Sequence, residues 1–171
     1  MKRLIVDMDG VLADVSAQFI AYDERDTSRR KTVAEITGLP ELEMVPRANE
    51  YLRMAGFFRN APLITGSREV LEQLNRRYEL FVVSAAIEYP KSLGEKVEWL
   101  GEHFPFIGWQ RIVLCGSKHI VRGDIMIDDH FKNLDFFEGR TVLFTQPHNH
   151  GQDNRRHERV NSWSEVAALL L

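Results

Sequence analysis

The sequence contains a single cysteine, Cys115, and no long run of apolar residues. One cysteine excludes an intrachain disulfide, which suits a protein that folds in a reducing compartment. No segment approaches the roughly 20 apolar residues needed to cross a bilayer. The apolar run after Lys2 and Arg3 is also shorter than the roughly 7–15 residues of a secretory signal peptide. We therefore expect a cytoplasmic protein with no membrane partner.

A strong net charge and glycine-rich nucleotide-binding loops are also absent. The formal net charge is -3 over 171 residues, so nothing indicates a nucleic-acid polymer as partner. Neither GxxxxGK[ST] nor GxGxxG occurs, so the sequence does not support a P-loop ATPase or a dinucleotide-binding domain. A hydrophobic content of 44% is that of an ordinary globular domain. Nothing in the sequence decides between a monomer and a homodimer.

Short apolar runs rich in β-branched residues are present, and there are five of them: Leu4–Val6, Leu80–Val83, Arg111–Leu114, Ile125–Ile127 and Thr141–Phe144. Because nearly every residue in these runs is apolar, they predict strands that are covered on both faces, as in a parallel sheet. Helical patterns lie between several of the runs. This alternation predicts an α/β domain with a doubly wound parallel sheet.

Three helices of this domain are predicted from the spacing of apolar residues. The first begins at Ser67 as its N-cap. The second ends before Pro105, and its buried face is predicted to consist of Leu93, Val97, Leu100 and Phe104. The third begins after Ser162, and the spacing of Ser162 and Glu165 matches a capping box at its start. The tryptophans on or beside these patterns are expected in the core: Trp99, Trp109 and Trp163.

Residues 15–60 interrupt the alternation of strands and helices. They contain helical stretches, broken at Gly38, Pro40 and Pro46, but no convincing strand. We predict a core domain of residues 1–14 and 61–171 and a small helical cap of residues 15–60, with Asp14 capping its first helix. Since ligands of open α/β sheets bind beyond the carboxyl ends of the strands, a cap inserted there would cover the binding crevice.

Two acidic pairs follow predicted strands. Asp7 and Asp9 come after the first strand, and Asp128 and Asp129 come after the fourth. Neighbouring carboxylates repel one another unless a cation compensates them, and a hard ion such as Mg²⁺ prefers such oxygen ligands. Asp7 could then attack phosphorus while Asp9 acts as general acid and base. Solvated acidic turns are the alternative for either pair alone.

Two further residues complete an ordered set along the chain. Ser84 ends the second strand, where its hydroxyl and the following N–H groups could hold a phosphoryl oxygen. Lys118 lies ahead of the second acidic pair and could balance the acids and hold a phosphate. Neither residue is informative alone. The order of acid pair, serine, lysine and acid pair is the specific signal.

These elements resemble the four motifs of the haloacid dehalogenase-like (HAD) phosphatase superfamily: DMDGVLAD, Ser84, Lys118 and Asp128–Asp129. Within it, the opening motif resembles the 5'(3')-deoxyribonucleotidase family more narrowly. The stretch GFFRNAPLITGS, the block IVL…K…DIMIDD and VLFTQPHNH are similar to that family as well. The resemblance implies a HAD-like Rossmannoid core and covers most of the core domain.

The resemblance also implies roles for the acids. Asp7 would be the nucleophile that forms an aspartyl-phosphate, and Asp9 the general acid and base. Mg²⁺ would be held by the Asp7 carboxylate, the Asp9 carbonyl and the Asp128 carboxylate, with Asp129 just outside the ligands. The implied activity is Mg²⁺-dependent hydrolysis of (deoxy)ribonucleoside 5'- or 3'-monophosphates to nucleoside and phosphate.

For the substrate, the resemblance implies a phosphate site and an aromatic pocket. Ser84, Ala85 and Lys118 would hold the phosphate, and the sugar and base would enter a pocket that contains Phe19, Phe57 and Phe58. The chain departs from the family pattern at three positions. Ala85 stands where the family has a hydroxyl residue, Glu88 where it has a lysine, and Gly116 where it has a basic residue. These departures keep two alternatives open: a phosphatase for another small phosphomonoester such as a sugar phosphate, and a non-catalytic phosphate-binding regulator.

Two remaining features are expected to have no catalytic role. His148, His150 and His157 lie in a polar stretch that predicts a solvated loop rather than a transition-metal site. Cys115 has no matched histidine and is expected to be a small buried apolar residue.

Overall fold

The computed structural model describes all 171 residues and contains one six-stranded parallel sheet. Its order is β3-β2-β1-β4-β5-β6, and every neighbouring pair is parallel. The strands are β1 Arg3–Val6, β2 Glu79–Ser84, β3 Ile112–Leu114, β4 Ile125–Asp128, β5 Arg140–Phe144 and β6 Glu158–Val160. The five predicted strands are confirmed. The edge strand β6 was missed because only Val160 among its three residues is buried.

Both faces of this sheet are covered, which explains the continuous apolar runs. Leu4 and Val6 of β1 belong to a large apolar cluster on one face, whereas Ile5 belongs to a smaller cluster on the other. The α-helices are α1 Val15–Thr27, α2 Val33–Ile36, α3 Ala48–Tyr51, α4 Ser67–Arg77, α5 Ser92–His103, α6 Phe131–Leu134 and α7 Trp163–Leu170. Residues of α4, α5 and α7 pack on the first face and Leu134 of α6 on the second. The predicted doubly wound α/β fold is confirmed.

Residues 15–60 contain α1, α2 and α3 and no strand. They have an apolar cluster of their own, which includes Phe19, Tyr51 and Phe57 and is distinct from the two clusters of the sheet. The predicted division into core and cap stays a prediction, and this separate cluster supports it. None of the helices is both long and apolar enough to cross a membrane.

The first two core helices differ from the sequence prediction at specific positions. Gly66 caps α4 with a φ of 79°, and Ser67 lies inside the helix and is buried. In α5, Val97 is 44% exposed, and the buried residues are Ser92, Lys96, Trp99 and Leu100. The helix is rotated relative to the predicted face because Trp99 packs into the core, where its Nε1 donates to the Ala61 carbonyl at 2.8 Å.

Two terminal features are close to their predictions. Ser162 caps α7 by accepting from the Glu165 N–H, but the Glu165 carboxylate accepts from the Asn161 N–H, so only half of the capping box forms. Trp163 is buried as expected.

Trp109 is 77% exposed, and its predicted core position was wrong because the turn that carries it leads into the edge strand β3.

The predicted cap of α1 is confirmed and can be tested directly. Asp14 Oδ1 accepts from the Ala17 N–H at 2.8 Å. Asp14→Ala should lower the free energy of unfolding by about 0.5–2 kcal/mol because an N–H group at the helix start loses its acceptor. Urea unfolding measures the loss. Asp14→Ser is the matched control because it retains an acceptor, and equal losses in the two variants would contradict a capping role.

Candidate active site

The first acidic pair lies where β1 ends and the chain turns sharply. The Asp7 N–H donates to the Ile127 carbonyl at 2.9 Å, which joins the ends of β1 and β4. Gly10 follows with a φ of 72°, and a Cβ at this position would overlap the Asp129 carboxylate. The turn therefore needs glycine both for its backbone conformation and for the approach of the second acidic pair.

Three buried carboxylates meet at this edge of the sheet. Oxygens of Asp7, Asp128 and Asp129 lie within 4.8 Å of one another. Lys118, itself buried, binds two of them: its Nζ lies 2.6 Å from Asp7 Oδ1 and 2.7 Å from Asp128 Oδ2. Burial opposes the charge of this ammonium group, but Asp128 and Asp7 outweigh burial and raise its pKa. One cation is thus shared between two of three acids.

The adjacent residues Asp128 and Asp129 differ in their partners. Asp128 accepts hydrogen bonds from Lys118, from Asn133 Nδ2 at 3.0 and 3.1 Å, and from the His130 N–H at 2.9 Å. Neither carboxylate oxygen of Asp129 has a hydrogen-bond partner, although the residue is 1% exposed. Leaving a buried carboxylate unpaired is costly. Asp129 is therefore the acid without a hydrogen-bonded partner, and the nearest basic groups are His148 Nε2, 3.6 Å from its Oδ2, and His130 Nε2, 4.0 Å from its Oδ1.

The electrostatics of the cluster show an excess of negative charge. Burial, reinforced by Asp128, raises the pKa of Asp7 to about 7, against the opposing effect of Lys118. Burial also raises the pKa of Asp129 well above its usual value; His130 opposes this shift, and Asp7 and Asp128 add to it. The pKa of Asp128 is lowered because Lys118 outweighs burial. Three buried acids share one hydrogen-bonded lysine, and His130 opposes the shift of Asp129 without reversing it, which is consistent with a site for a further cation.

A second buried lysine contacts the first acidic pair at Asp9, whereas Lys118 contacts it at Asp7. Lys96 of α5 is 2% exposed, and its Nζ donates to Ser84 Oγ at 2.9 Å and pairs with Asp9 Oδ2. Ser84 ends β2 and is buried beside it. Lys96 was missed in the sequence because it lies among glutamates. Its position three and four residues before Trp99 and Leu100 is the signal that could have placed it on the buried face.

A cavity between the cap and the sheet edge opens onto these groups. The core contributes Asp7, Asp9, Ser84, Ala85, Glu88, Tyr89, Lys96, Lys118, His130, Lys132 and Asn133, and the cap contributes Val15, Phe19, Glu41, Leu42, Leu52 and Phe58. Seven of the predicted site residues are thereby brought together. Asp128 and Asp129 are buried and do not line the cavity. Phe57 is not among the lining residues either. It is fully buried behind the wall, with its ring 5.1 Å from Phe19 and 5.2 Å from Phe58.

In the polar stretch His157 is buried and His148 is partly buried, so the prediction of a solvated loop was wrong for these two histidines. His157 bonds Thr141 Oγ1 at 2.8 Å and Asp135 at 3.0 Å. The His148 side chain is 10% exposed, and its Nε2 lies 3.1 Å from the Asp129 carbonyl. Only His150 is exposed. Both rings have partners far along the chain, which a local polar composition does not reveal.

His148 stacks on His130 in a cluster that joins the cap to the core. The two rings lie 4.4 Å apart at 17°, and His130 Nε2 lies 3.2 Å from Glu41 Oε2 of the cap. These residues and Asp129 have potential ligand atoms within 4.8 Å. However, nitrogen lone pairs lie in the ring planes, so stacked rings direct them side by side rather than toward one ion. We therefore describe the contact between Glu41, His130 and His148 as an electrostatic clasp.

The charge states within this clasp follow from its neighbours. Burial opposes protonation of His130, but Asp129 and Glu41 outweigh it and raise its pKa to about 10. Burial and the adjacent His130 charge lower the pKa of His148. A protonated His130 therefore stacks on a neutral His148 and pairs with the cap carboxylate of Glu41.

The remaining expectations concern Cys115 and the departures from the family pattern. Cys115 is half-buried, and burial raises the pKa of its thiol, which disfavours a nucleophilic thiolate. Glu88 lines the cavity, whereas Gly116 does not. Of the two replaced basic positions, only position 88 therefore faces the ligand space.

The raised pKa of His130 predicts a pH dependence of stability. Its contribution to the free energy of unfolding should be complete below pH 6.5 and lost as the pH rises through about 10, because the folded state binds this proton more tightly than the unfolded state. Urea unfolding of the wild type and of His130→Asn, in a chelator to remove divalent cations, should give a larger difference at low than at high pH. The exposed His150→Asn is the control, and a pH-independent difference for His130→Asn would contradict the assignment.

Solved structures with the same fold include hydrolases of low sequence identity. A haloacid dehalogenase-like family hydrolase from Streptococcus pneumoniae superposes with a TM-score of 0.65 at 14% identity, covering 100% of this chain and 99% of that chain. A HAD family hydrolase from Deinococcus radiodurans with bound phosphate and sodium gives 0.62 at 16% identity, covering 99% and 95%. At these identities the likeness concerns the fold alone.

Sequence comparison is more specific. The model of the family described as 5' nucleotidase, deoxy (pyrimidine), cytosolic type C protein matches residues 1–171. Proteins named 5'(3')-deoxyribonucleotidase from Bacillus subtilis and from Bacillus phage SPbeta are each 40% identical over 174 residues, with 100% of both chains covered. The resemblance inferred from the motifs is confirmed. The chain therefore belongs to the 5'(3')-deoxyribonucleotidase family.

Proposed function

We propose that this protein is a Mg²⁺-dependent 5'(3')-deoxyribonucleotidase that hydrolyses nucleoside monophosphates to nucleoside and phosphate. The observation that carries the proposal is a buried Asp7 held beside Lys118 at the floor of a cavity whose far wall is apolar. Family membership and full-length similarity to named deoxyribonucleotidases support the substrate class. The family's description as cytosolic supports the prediction of a cytoplasmic protein.

Asp7 is positioned to act as the nucleophile. Its Oδ1 accepts from the Met8 N–H at 2.7 Å and lies 2.6 Å from Lys118 Nζ, which leaves Oδ2 for the substrate. Attack of Asp7 on phosphorus breaks the bond to the leaving nucleoside oxygen, to which Asp9 gives a proton. Asp9 then takes a proton from a water molecule, which attacks the aspartyl-phosphate and releases inorganic phosphate. Ser84, Ala85 and Lys118 hold the phosphoryl oxygens.

A divalent cation fits the acidic cluster. The buried, unpaired oxygens of Asp129 and the raised pKa of Asp7 indicate missing positive charge. The sequence assigned the metal to Asp7, the Asp9 carbonyl and Asp128, with Asp129 outside. Because Lys118, Asn133 and a backbone N–H already bind Asp128, we propose Asp129 as the ligand in its place. When bound, Mg²⁺ would neutralise charge on the phosphate oxygens.

The nucleoside would lie against the cap. Phe19, Leu52 and Phe58 form an apolar wall of the cavity, and a base can stack on such aromatic faces. Phe57 supports this wall from behind rather than contacting the substrate. A sugar phosphate remains a second candidate because Glu88 lies in the cavity wall, where its carboxylate can accept hydrogen bonds from sugar hydroxyls.

Phosphate release from a panel of 5'- and 3'-monophosphates, deoxy and ribo, alongside sugar phosphates, tests the activity. We expect Mg²⁺-dependent turnover of deoxyribonucleotides. Asp7→Asn should abolish turnover because the nucleophile is removed, and Asp9→Asn should reduce it by about 10²–10⁴-fold because proton transfer is lost. The exposed Asp153→Asn is the control. Retained turnover in Asp7→Asn would exclude its role as nucleophile, and turnover confined to sugar phosphates would exclude the nucleotide substrate.

Thermal unfolding with and without Mg²⁺ distinguishes the two adjacent acids. The wild type should gain about 2.7 kcal/mol at a Mg²⁺ concentration of ~100 times its dissociation constant. Asp129→Asn should lose most of this gain, since a metal ligand is removed. Asp128→Asn should be less stable without metal, because Lys118 loses a partner, but should still respond to Mg²⁺. The reverse pattern would restore Asp128 as the ligand.

A further inference from the structure

Lys96 is a buried cation for which neither the proposed mechanism nor the sequence motifs provide a role. Lysine is almost never fully buried unless it is paired, yet Lys96 is 2% exposed in the middle of α5. Its Nζ contacts Asp9 Oδ2 and Ser84 Oγ, and it lies 4.4 Å from the centroid of the Phe58 ring. All three neighbours belong to the proposed active site.

The charge on Lys96 is less compensated than the charge on Lys118. Lys118 pairs with two buried carboxylates, Asp7 and Asp128. Lys96 pairs with one, Asp9, whose side chain is 28% exposed. An ammonium group has three donors; hydrogen-bond acceptors of the protein take up two of them, and the remaining contact is with the Phe58 ring rather than with an acceptor. Because burying an ammonium costs several kcal/mol without good partners, this incomplete set points to an anion that binds in the cavity.

The hydrogen bond between Lys96 and Ser84 also orients the serine. Lys96 donates to Ser84 Oγ, so that the oxygen acts as acceptor and its own proton is free to be donated elsewhere. Both residues line the cavity beside Asp7. The lysine and the serine can therefore both donate into the cavity, which Lys118 also lines.

The position of Lys96 is fixed by contacts on both sides of it in α5. Glu95 accepts from the Gly56 N–H at 2.6 Å and the Arg59 N–H at 3.1 Å, which ties the helix to the end of the cap. Trp99 donates to the Ala61 carbonyl at 2.8 Å. A lysine held by a rigid helix rather than a mobile loop keeps its ammonium group in place before the ligand arrives.

We propose that Lys96 is a second phosphate-binding cation, which with Ser84 donates to a phosphoryl oxygen while Lys118 holds the phosphate beside Asp7. The proposal rests on the proposed function and deepens it by adding a residue that contacts the substrate phosphate. In the free protein the Lys96 ammonium donates to Asp9 and Ser84. The incoming phosphate accepts from the third N–H of this ammonium group.

Binding of inorganic phosphate in the presence of Mg²⁺, measured by calorimetry, tests this role without turnover. Lys96→Met and Lys96→Gln remove the charge, and both should weaken phosphate binding about 10- to 100-fold, the loss expected for one charge-assisted hydrogen bond. Lys96→Arg keeps the charge and should bind more tightly than either. Lys91→Met, at an exposed lysine that precedes the same helix, should bind like the wild type. Thermal unfolding shows which variants are folded. Lys96→Met and Lys96→Gln, the two uncharged substitutions, give two independent measurements of phosphate affinity.

Steady-state kinetics separate phosphate binding from an effect through Asp9. A phosphate-binding Lys96 predicts a raised KM together with weakened phosphate binding. Unchanged phosphate affinity with a lowered kcat would overturn the proposal and make Lys96 a positioning residue for Asp9. Unchanged affinity and kinetics would overturn it as well. If the wild type binds phosphate through Lys96 but hydrolyses no nucleotide, the proposed function fails and the phosphate role of Lys96 stands.

Discussion

Charge balance at the carboxyl edge of the sheet is the constraint on which the rest of this structure depends. The parallel strands β1 and β4 end side by side and bring Asp7, Asp128 and Asp129 into a buried space. Such a cluster persists only with compensating positive charge. Lys118 compensates Asp128 and part of Asp7, and His130 compensates part of Asp129. The remaining negative charge is available to a cation that enters the cavity.

The same constraint explains the orientation of α5. Side-chain hydrophobicity alone favours burying Val97, yet the helix turns Lys96 inward and leaves Val97 exposed. The burial of Trp99 contributes to this rotation, since its indole fills the core and bonds the Ala61 carbonyl. The contact of Lys96 with Asp9 and Ser84 then offsets the cost of burying the ammonium group. A helix whose outer face is densely charged thus supplies a cation to the site.

Much of the fold was predictable from the sequence because its signals are local. Strands covered on both faces appear as continuous apolar runs, and the acids at their ends are adjacent in sequence. Features that depend on distant partners were not predictable: the pairing of Lys96 with Asp9, the contact of His130 with Glu41, and the position of Phe57 behind the cavity wall. Strand β6 was missed for a different reason, since an edge strand buries little and has a weak apolar pattern.

The clasp formed by Glu41, His130 and His148 connects the cap to this charge balance. Glu41 belongs to the cap, whereas His130 follows Asp129 directly and depends on that carboxylate for its raised pKa. A cation bound by Asp129 would weaken the field that keeps His130 protonated, and a weaker charge on His130 would loosen its pairing with Glu41. Because such coupling is reciprocal, the pairing of Glu41 with His130 and the charge at the acidic cluster influence each other. The cap therefore contributes a charge to the site, through Glu41, in addition to the apolar residues that line the cavity.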